Sequence, residues 1–379
     1  MKIAVAMSGG VDSSAAAYIL KSEGHEVIGL SMQMYDNLAD GAPQYGGCCT
    51  IDDLADARRV AWKLNIPHFT LNLEENFHQK VIAPFVASYL NGMTPSPCVL
   101  CNTHVKFDLF HHKAQAIGAE KIATGHYARI TRSASGLFEL RKALDLAKDQ
   151  SYFLFELSQW QLAEALFPLG ELTKPEVRII AEKAGLSVAR KKESYEICFV
   201  PQTASYAKIV EREASAIALA DREDDGDLVA MARSVVDHEA AGEIVDLEGN
   251  VVGRHEGYYH FTIGQRRGLQ IGGTPDRTYV VDIIPATRRV VIGPASQLQR
   301  DELIAEKVHW IGDSPTGPVK VQARVRSRAA DVDATVTTLP GGLARVEFAQ
   351  KLRAVAPGQA VVFYDGDLCL GGGWISRRA

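Results

Sequence analysis

Cysteine is scarce in this chain, with six in 379 residues. A polypeptide of this length builds its own core, so six cysteines do not make a disulfide scaffold. They point to a reducing compartment where thiols react or bind metal. Long apolar runs are missing as well, and no stretch approaches the length of a membrane span. Residues 1–7 lack the layout of a signal peptide. The expectation is a cytoplasmic protein. Excess positive charge is also absent. The net charge of −5 argues against a broadly basic nucleic-acid binder. That average is uneven, because residues 211–250 hold twelve Asp/Glu against three Arg and the rest of the chain is net positive. Local basic patches on the remainder could serve a nucleic acid. The acidic stretch has weak patterning and is expected to be partly disordered.

Residues 3–7 form an apolar run that leads straight into SGGVDSS at 8–14. This reads as strand, turn and helix. Gly9 and Gly10 let the backbone turn and leave amide N–H groups bare for an anion. Ser8, Ser13 and Ser14 add hydroxyls, and the helix N-terminus adds a favourable dipole. No lysine follows the glycines, so this is not the GxxxxGK[ST] loop of common ATPases. A cradle of this kind suits pyrophosphate held as a leaving group. It resembles the PP-loop of ATP pyrophosphatases.

The first 130 residues alternate strand and helix patterns. Strands are expected at 3–7, 26–32, 68–73 and 121–126, and helices at 12–21, 52–64, 77–90 and 103–116. That alternation predicts a parallel sheet covered on both faces, with ligands at the carboxyl ends of its strands. Helices follow at 158–167 and at 173–184, the second with a Thr173/Glu176 capping box. Past Val251 come short β-like runs at 279–284, 289–292, 319–325, 343–348 and 360–364, which suggest small β-domains or barrels.

Cys98 and Cys101 lie in PCVLCN, read as a turn before the helix near Thr103. The positive end of a helix favours thiolate there. Cys198 follows Arg190, Lys191 and Lys192 closely. Three readings are open for these thiols: a zinc site with His104 or Cys198, buried packing, or a pair of working thiols. The packing reading fits Cys369 best. Cys48 and Cys49 sit in a glycine-rich segment. Adenylation joined to two working thiols points to sulfur transfer.

Several motifs occur together in order: AMSGGVDSS at 6–14, PCVLCN at 97–102, ATGHY at 123–127, KDQSY at 148–152, SYEICF at 194–199, FTIGQRRGL at 261–269, PGQ at 357–359 and CLGGG at 369–373. With these the chain resembles the bacterial tRNA-specific 2-thiouridylases along nearly its whole length. The resemblance implies an α/β PP-loop domain (1–205), a small mixed central domain with the acidic insertion (206–300) and a C-terminal β-barrel (301–379). It implies ATP with Mg2+, tRNA as substrate and a sulfur-relay donor protein. ATP would adenylate the 2-carbonyl of the wobble uridine, with Cys198 as persulfide carrier and Cys101 as nucleophile and disulfide partner. By the same resemblance Ala6, Met7, Ser8, Gly9, Gly10, Val11, Asp12, Ser13, Met32 and Gly125 line the ATP site. Asp12 could hold Mg2+ or be a first-turn acid, and Met32 could meet adenine or be plain core. Contacts with tRNA fall to Ser96, Pro97, Cys98, His126, Lys148, Asp149, Gln150, Arg324, Val325 and Gln359. Arg324, Arg326 and Arg328 alternate as on one strand face, which suits phosphate.

Two departures stand out. Cys98 occupies a position where many relatives carry Asp, which leaves the acid–base group open. Val325 follows Arg324 where the family has an aromatic. Three cysteines, Cys98, Cys101 and Cys198, could alternatively hold an iron–sulfur cluster with one iron open. A PP-loop small-molecule ligase is the rival enzyme class and would need no thiols. The sequence leaves oligomeric state undetermined.

Overall fold

The computed structural model describes residues 1–35, 51–192, 197–200, 205–219, 226–237, 240–269, 271 and 277–377. Cys48 and Cys49 lie outside them. The chain runs β1 (Lys2–Ala6), α1 (Val11–Ser22), β2 (Glu26–Gln33), α2 (Ile51–Lys63) and β3 (His68–Asn72). Two long helices follow, α3 over residues 74–90 and α4 over residues 97–116, and then β4 (Lys121–Ala123). A hairpin, β5 (Ala128–Arg132) and β6 (Phe138–Lys142), precedes α5 (Gln159–Glu164), β7 (Ala165–Leu166) and α6 (Lys174–Lys183).

Strands β3-β2-β1-β4-β7 form one parallel sheet in that order. Side chains alternate across a strand, which sorts the apolar residues into two cores. Ala4, Ala6, Ile28, Leu30 and Met32 face the layer that includes Phe77, Phe85, Val105 and Phe110 of α3 and α4. Ile3, Val5, Met7 and Val27 face α1, α2 and α6 through Leu20, Val60, Ala61 and Ala181. The order reverses beside β1, and ligands of open α/β sheets sit at such a switch point. The carboxyl end of β1 carries the SGG turn.

Several expected boundaries shift. Residues 158–167 do not form one helix. Ser158 caps α5 with Gln161, the helix ends at Glu164, and Ala165–Leu166 pairs with β4 as the edge strand. The helix expected from Thr103 begins earlier, at Pro97, a residue whose fixed φ suits a first helical position. Cys98 and Cys101 are therefore helical rather than in a turn. Within α4, Cys101–Leu109 winds as a π-helix, a rare geometry that often marks functional sites. Neighbours support the widened turns. Gln161 Nε2 donates to the carbonyls of Thr103 and Phe107, and Asn102 Nδ2 donates to that of Phe153.

Of the acidic stretch, residues 220–225 and 238–239 lie outside the described residues, and most of the rest falls in regular elements. Tyr206–Leu219 and Gly226–Val236 are helices packed on each other and on α3. The strands Gly242–Val245, Val251–His255, Thr278–Ile284 and Arg289–Pro294 make a four-stranded mixed sheet. The remaining strands, from Gln299 to Ile375, close into a six-stranded barrel in which Gln299–Trp310 pairs with Leu368–Ile375. Its interior holds Leu303, Val321, Val336, Val346, Val361 and Phe363. Hairpin β5–β6 joins this sheet too, with Leu140 opposite Cys369. Sheet membership thus crosses the division drawn at residue 205.

Candidate active site

The turn after β1 is built by close approach. Gly9 has φ +71°, and a Cβ there would lie 2.1 Å from the Asp53 carbonyl oxygen. Only glycine fits both demands. Gly10 is extended at the helix N-cap. The Ser13 and Ser14 hydroxyls both donate to the Gly10 carbonyl, at 3.2 and 2.8 Å, and Ser13 Oγ accepts from the Ser8 amide. Those two hydroxyls shape the turn rather than face an anion. Ser8 is the exposed serine of the three. Ala6, Met7 and Val11 bury their side chains, so only their backbone can meet a nucleotide. Met32 is likewise buried, in the α3–α4 core.

Cations reach this turn from far along the chain. Lys174 opens α6, and its Nζ lies 2.7 and 2.8 Å from the two Asp12 carboxylate oxygens. The Tyr127 hydroxyl donates to the same carboxylate at 2.8 Å. On the other side Lys191 Nζ donates to the Gly9 carbonyl at 3.1 Å and to Asp53 and Asp56 at 2.6 and 2.5 Å. Both lysines that tertiary structure delivers to the turn are engaged by carboxylates, Lys174 by Asp12 and Lys191 by Asp53 and Asp56. Their spacing from the turn carries no sequence signal.

Gly125, after β4, closes the site from a third direction. A Cβ on it would sit 2.7 Å from the Ser13 amide nitrogen and 2.8 Å from the Asp12 carbonyl carbon. Gly125→Ala is expected to push α1 off β4. Overpacking of this kind costs about 1–3 kcal/mol, and ATP affinity should fall about tenfold. Calorimetric titration with ATP, beside a thermal melt, checks both numbers.

The next residue, His126, is half-buried against Phe107 of α4 and Phe167, with ring centroids 5.8 and 5.9 Å away. Its Nδ1 lies 2.7 Å from Thr124 Oγ1. Burial, helped by the Lys106 charge, holds its pKa well below the ordinary histidine value, so the ring is neutral at pH 7. One dipeptide therefore touches the phosphate turn through Gly125 and the thiol-bearing helix through His126.

On that helix Cys98 is exposed and Cys101 is buried. Cys98 lies in the first turn, while Cys101 lies beyond it, where the reach of the helix dipole ends. Cys198 is half-buried on the same face of the sheet and packs on the core that contains Cys101. Its neighbour Phe199 is fully enclosed, edge-on to Phe77 at 5.7 Å and Phe85 at 5.0 Å. Burying a phenylalanine contributes about 1.5–3 kcal/mol, which anchors this end of the Cys198 segment against α3. Cys369 is a different case. Burial in the core it shares with Leu140 and Tyr364, outside the barrel interior, pushes its thiol up to about 12, in keeping with a packing role.

Among the described residues no group of three or more His, Cys, Asp or Glu side chains is arranged to hold a metal. Cys98, Cys101 and Cys198 do not make a cluster site in this arrangement. Asp12 is engaged by Lys174 and Tyr127.

The residues expected at the RNA divide into two groups. Gln359 Nε2 donates to the Thr94 and Pro95 carbonyls, at 3.2 and 2.9 Å. The Thr94 amide donates in turn to the Pro357 carbonyl at 2.8 Å. The barrel loop thereby fixes the turn that presents Ser96, Pro97 and the exposed Cys98. The second group is structural in its contacts. Asp149 is almost fully buried and pairs with Arg324 at 3.0 Å. Arg324 also binds Asp331 at 2.6 Å and lies over the Tyr364 ring. Gln150 accepts from the Tyr127 amide through Oε1, and Lys148 is half-buried. Val325 turns its side chain into the barrel core, which leaves only its backbone for RNA. The expected arginine row does not form, because the strand ends at Arg324 and Arg326 and Arg328 lie in the turn beyond.

An SGGVDSS turn at the switch point of a five-stranded parallel sheet, flanked by lysines and a second glycine strand end, defines the class. This is a PP-loop ATP-using enzyme with a barrel appended. Residues 1–202 match a family model described as a tRNA methyl transferase HUP domain. Residues 234–294 match its PRC-barrel domain, and residues 300–375 an aminomethyltransferase β-barrel domain. The chain is 49% identical over 377 residues to the tRNA-specific 2-thiouridylase MnmA of Geobacter metallireducens, covering 99% of this chain and 96% of that one. It is 46% identical to the enzyme of the same name from Geotalea uraniireducens, with 99% and 95% covered. A third, from Solibacter usitatus, is 46% identical with 98% of each covered. The chain belongs to the tRNA-specific 2-thiouridylase family.

Proposed function

We propose that the protein replaces the 2-oxygen of the wobble uridine of tRNA with sulfur, using ATP. The observation that supports this best is the shared address of the two chemistries. Gly125 packs on the phosphate turn, and adjacent His126 packs on the helix that carries Cys101. ATP, brought in with Mg2+, binds at the turn. The uridine 2-oxygen attacks the α-phosphorus, and pyrophosphate leaves. The base is then an O-adenylate whose leaving group is AMP.

Sulfur arrives as a persulfide on Cys198, loaded by a sulfur-relay donor protein. The terminal sulfur attacks C2 and displaces AMP, joining the base to Cys198 through a disulfide. The Cys101 thiolate attacks Cys198 Sγ, forms the Cys101–Cys198 disulfide and releases the 2-thiouridine anion, which takes up a proton. Alternatively Cys101 attacks first and hydrosulfide is the attacking species. Either way an external dithiol must reduce the pair before the next turnover. Cys101 is the nucleophile of this split workload.

The target base must leave the anticodon stack, because its 2-carbonyl is otherwise enclosed. Ser96, Pro97 and Cys98, which follow the Thr94 and Pro95 carbonyls bound by Gln359, receive it, with His126 as a neutral hydrogen-bonding group. A reducing cytoplasm suits working thiols. Among the described residues no helix is long and apolar enough to cross a membrane. Mass spectrometry of anticodon nucleosides after incubation with tRNA, ATP and a sulfur donor tests the reading. A nucleoside heavier by the oxygen-to-sulfur exchange, dependent on ATP, is the expected result. Its absence with active donor present would overturn it.

A further inference from the structure

The FTIGQRRGL segment has no part in the chemistry above, yet its arginines are not scattered. The loop at 264–267 is stitched to the strand Thr278–Ile284. Gly264 donates to the Val280 carbonyl at 2.8 Å, and Val280 donates back to the Gln265 carbonyl at 2.9 Å. The same loop abuts the barrel, since a Cβ on Gly264 would lie 2.8 Å from Ala354 Cβ. Arg353 lays its guanidinium over the Tyr279 ring, 4.3 Å from the centroid. Arg326 donates to the Arg353 carbonyl at 3.1 Å. Three segments thus meet on a seam between the central sheet and the barrel, bringing Arg266, Arg277, Arg326 and Arg353 together. All four are exposed. Hydrogen bonding to Arg353 and the charges of Arg353, Arg266 and Arg277 together hold the Tyr279 phenol below its ordinary pKa, so the fields of these groups overlap.

Among the described residues, none of the four forms an ion pair with a carboxylate. Unneutralised like charges repel one another, so a cluster of this kind in a chain of net charge −5 is complementary to an anionic partner. Position identifies which anion. From Arg353 the chain runs directly to Pro357 and Gln359, which grip Thr94 and Pro95 beside the base-receiving turn. The seam is therefore continuous with the candidate site. Guanidinium groups suit phosphate oxygens, and such contacts fix register without reading sequence.

We propose that this arginine seam binds the backbone phosphates of the tRNA anticodon arm next to the target uridine. The proposal rests on tRNA being the substrate. It makes Arg266 and Arg277 affinity residues, remote from the adenylate and the thiols.

The test is binding of full tRNA and of its isolated anticodon stem-loop across a salt series, with wild type, Arg266→Gln/Arg277→Gln and Arg266→Lys/Arg277→Lys. The glutamine pair should weaken binding of both RNAs about tenfold near 0.1 M salt. It should also flatten the dependence of log affinity on log salt by about 1.4–1.8, for two lost phosphate contacts. The lysine pair should retain the slope, and the turnover rate at saturating tRNA should stay within about twofold of wild type. Unchanged affinity and slope in the glutamine pair would overturn the proposal. So would an effect seen with full tRNA but not with the stem-loop. If the double variant misfolds, the single substitutions carry the same test at half the slope change. Wild type that binds tRNA through this seam yet makes no thiolated nucleoside would count against the proposed reaction and leave the seam standing.

Discussion

Cys101→Ala should abolish thiolated nucleoside, by at least ~10³-fold, while pyrophosphate is still released from ATP in the presence of tRNA. The split follows from where the two chemistries sit. The phosphate turn is organised by Gly9, Gly10, Ser13 and Gly125 at the ends of β1 and β4, whereas the thiol sits on α4. Adenylation needs that turn and a presented base. Sulfur transfer needs a nucleophile on α4. Cys101 is buried, so its removal leaves a small cavity and a stability loss on the order of 1 kcal/mol, too little to unfold the protein. Pyrophosphate release and nucleoside mass spectrometry on the same samples decide the matter. Retained thiolation would remove Cys101 from the mechanism, and equal loss of both readouts would make it a folding or binding residue. Cys369→Ala is the control. Its thiol is buried beside Leu140 and Tyr364 and pushed up to about 12, so thiolation should persist.

Much of the scaffold was legible because it is local. β1, the SGG turn and α1 follow from an apolar run, two glycines and three serines within fourteen residues. The Thr173/Glu176 capping box appears as read, with Glu176 accepting from the Thr173 amide and hydroxyl. What escaped depends on distant partners. Nothing in the composition of residues 128–142 says that they extend the barrel sheet, because their partner strand begins at Leu368. Lys174 reads as an ordinary helix lysine and Lys191 as part of the basic run before Cys198, until folding sets them on Asp12 and Gly9. The π-helix from Cys101 has no period of its own in the sequence; Gln161 donates to its Thr103 and Phe107 carbonyls, and its Asn102 ties it to the Phe153 carbonyl. The arginine row failed for a related reason. Alternation at 324, 326 and 328 implies one strand face only if the strand continues, and pairing with the neighbouring strands stops at Arg324.

Arg324 is the residue at which two roles make opposite predictions. As an RNA contact it should be dispensable for folding. The structure instead places it 3.0 Å from Asp149, whose side chain is 2% exposed, and 2.6 Å from Asp331. Burial alone would raise the Asp331 carboxyl, but hydrogen bonds and charge from Arg324 and Lys142 overcome it and hold the group below its ordinary value. Removing Arg324 leaves Asp149 buried without its counter-charge, whereas Asp331 keeps Lys142 at 2.6 Å. Breaking one partner of a buried pair costs about 3–5 kcal/mol. Arg324→Ala should therefore lower the melting temperature clearly. Because Asp331 titrates below its unfolded value, its contribution is present above that value and is lost as pH falls through the depressed one. Acid unfolding of the variant should accordingly begin at higher pH. Asp149→Asn in the same background should recover part of the loss, since a neutral amide tolerates burial better than a lone carboxylate. An RNA-contact role predicts the reverse pattern: unchanged melting, no rescue by Asp149→Asn, and weakened tRNA binding by the intact fold. The Asp149 contact also matters to chemistry, because the adjacent Gln150 holds Tyr127 and Tyr127 holds Asp12. A loosened lock should consequently raise the KM for ATP before it changes the affinity for tRNA.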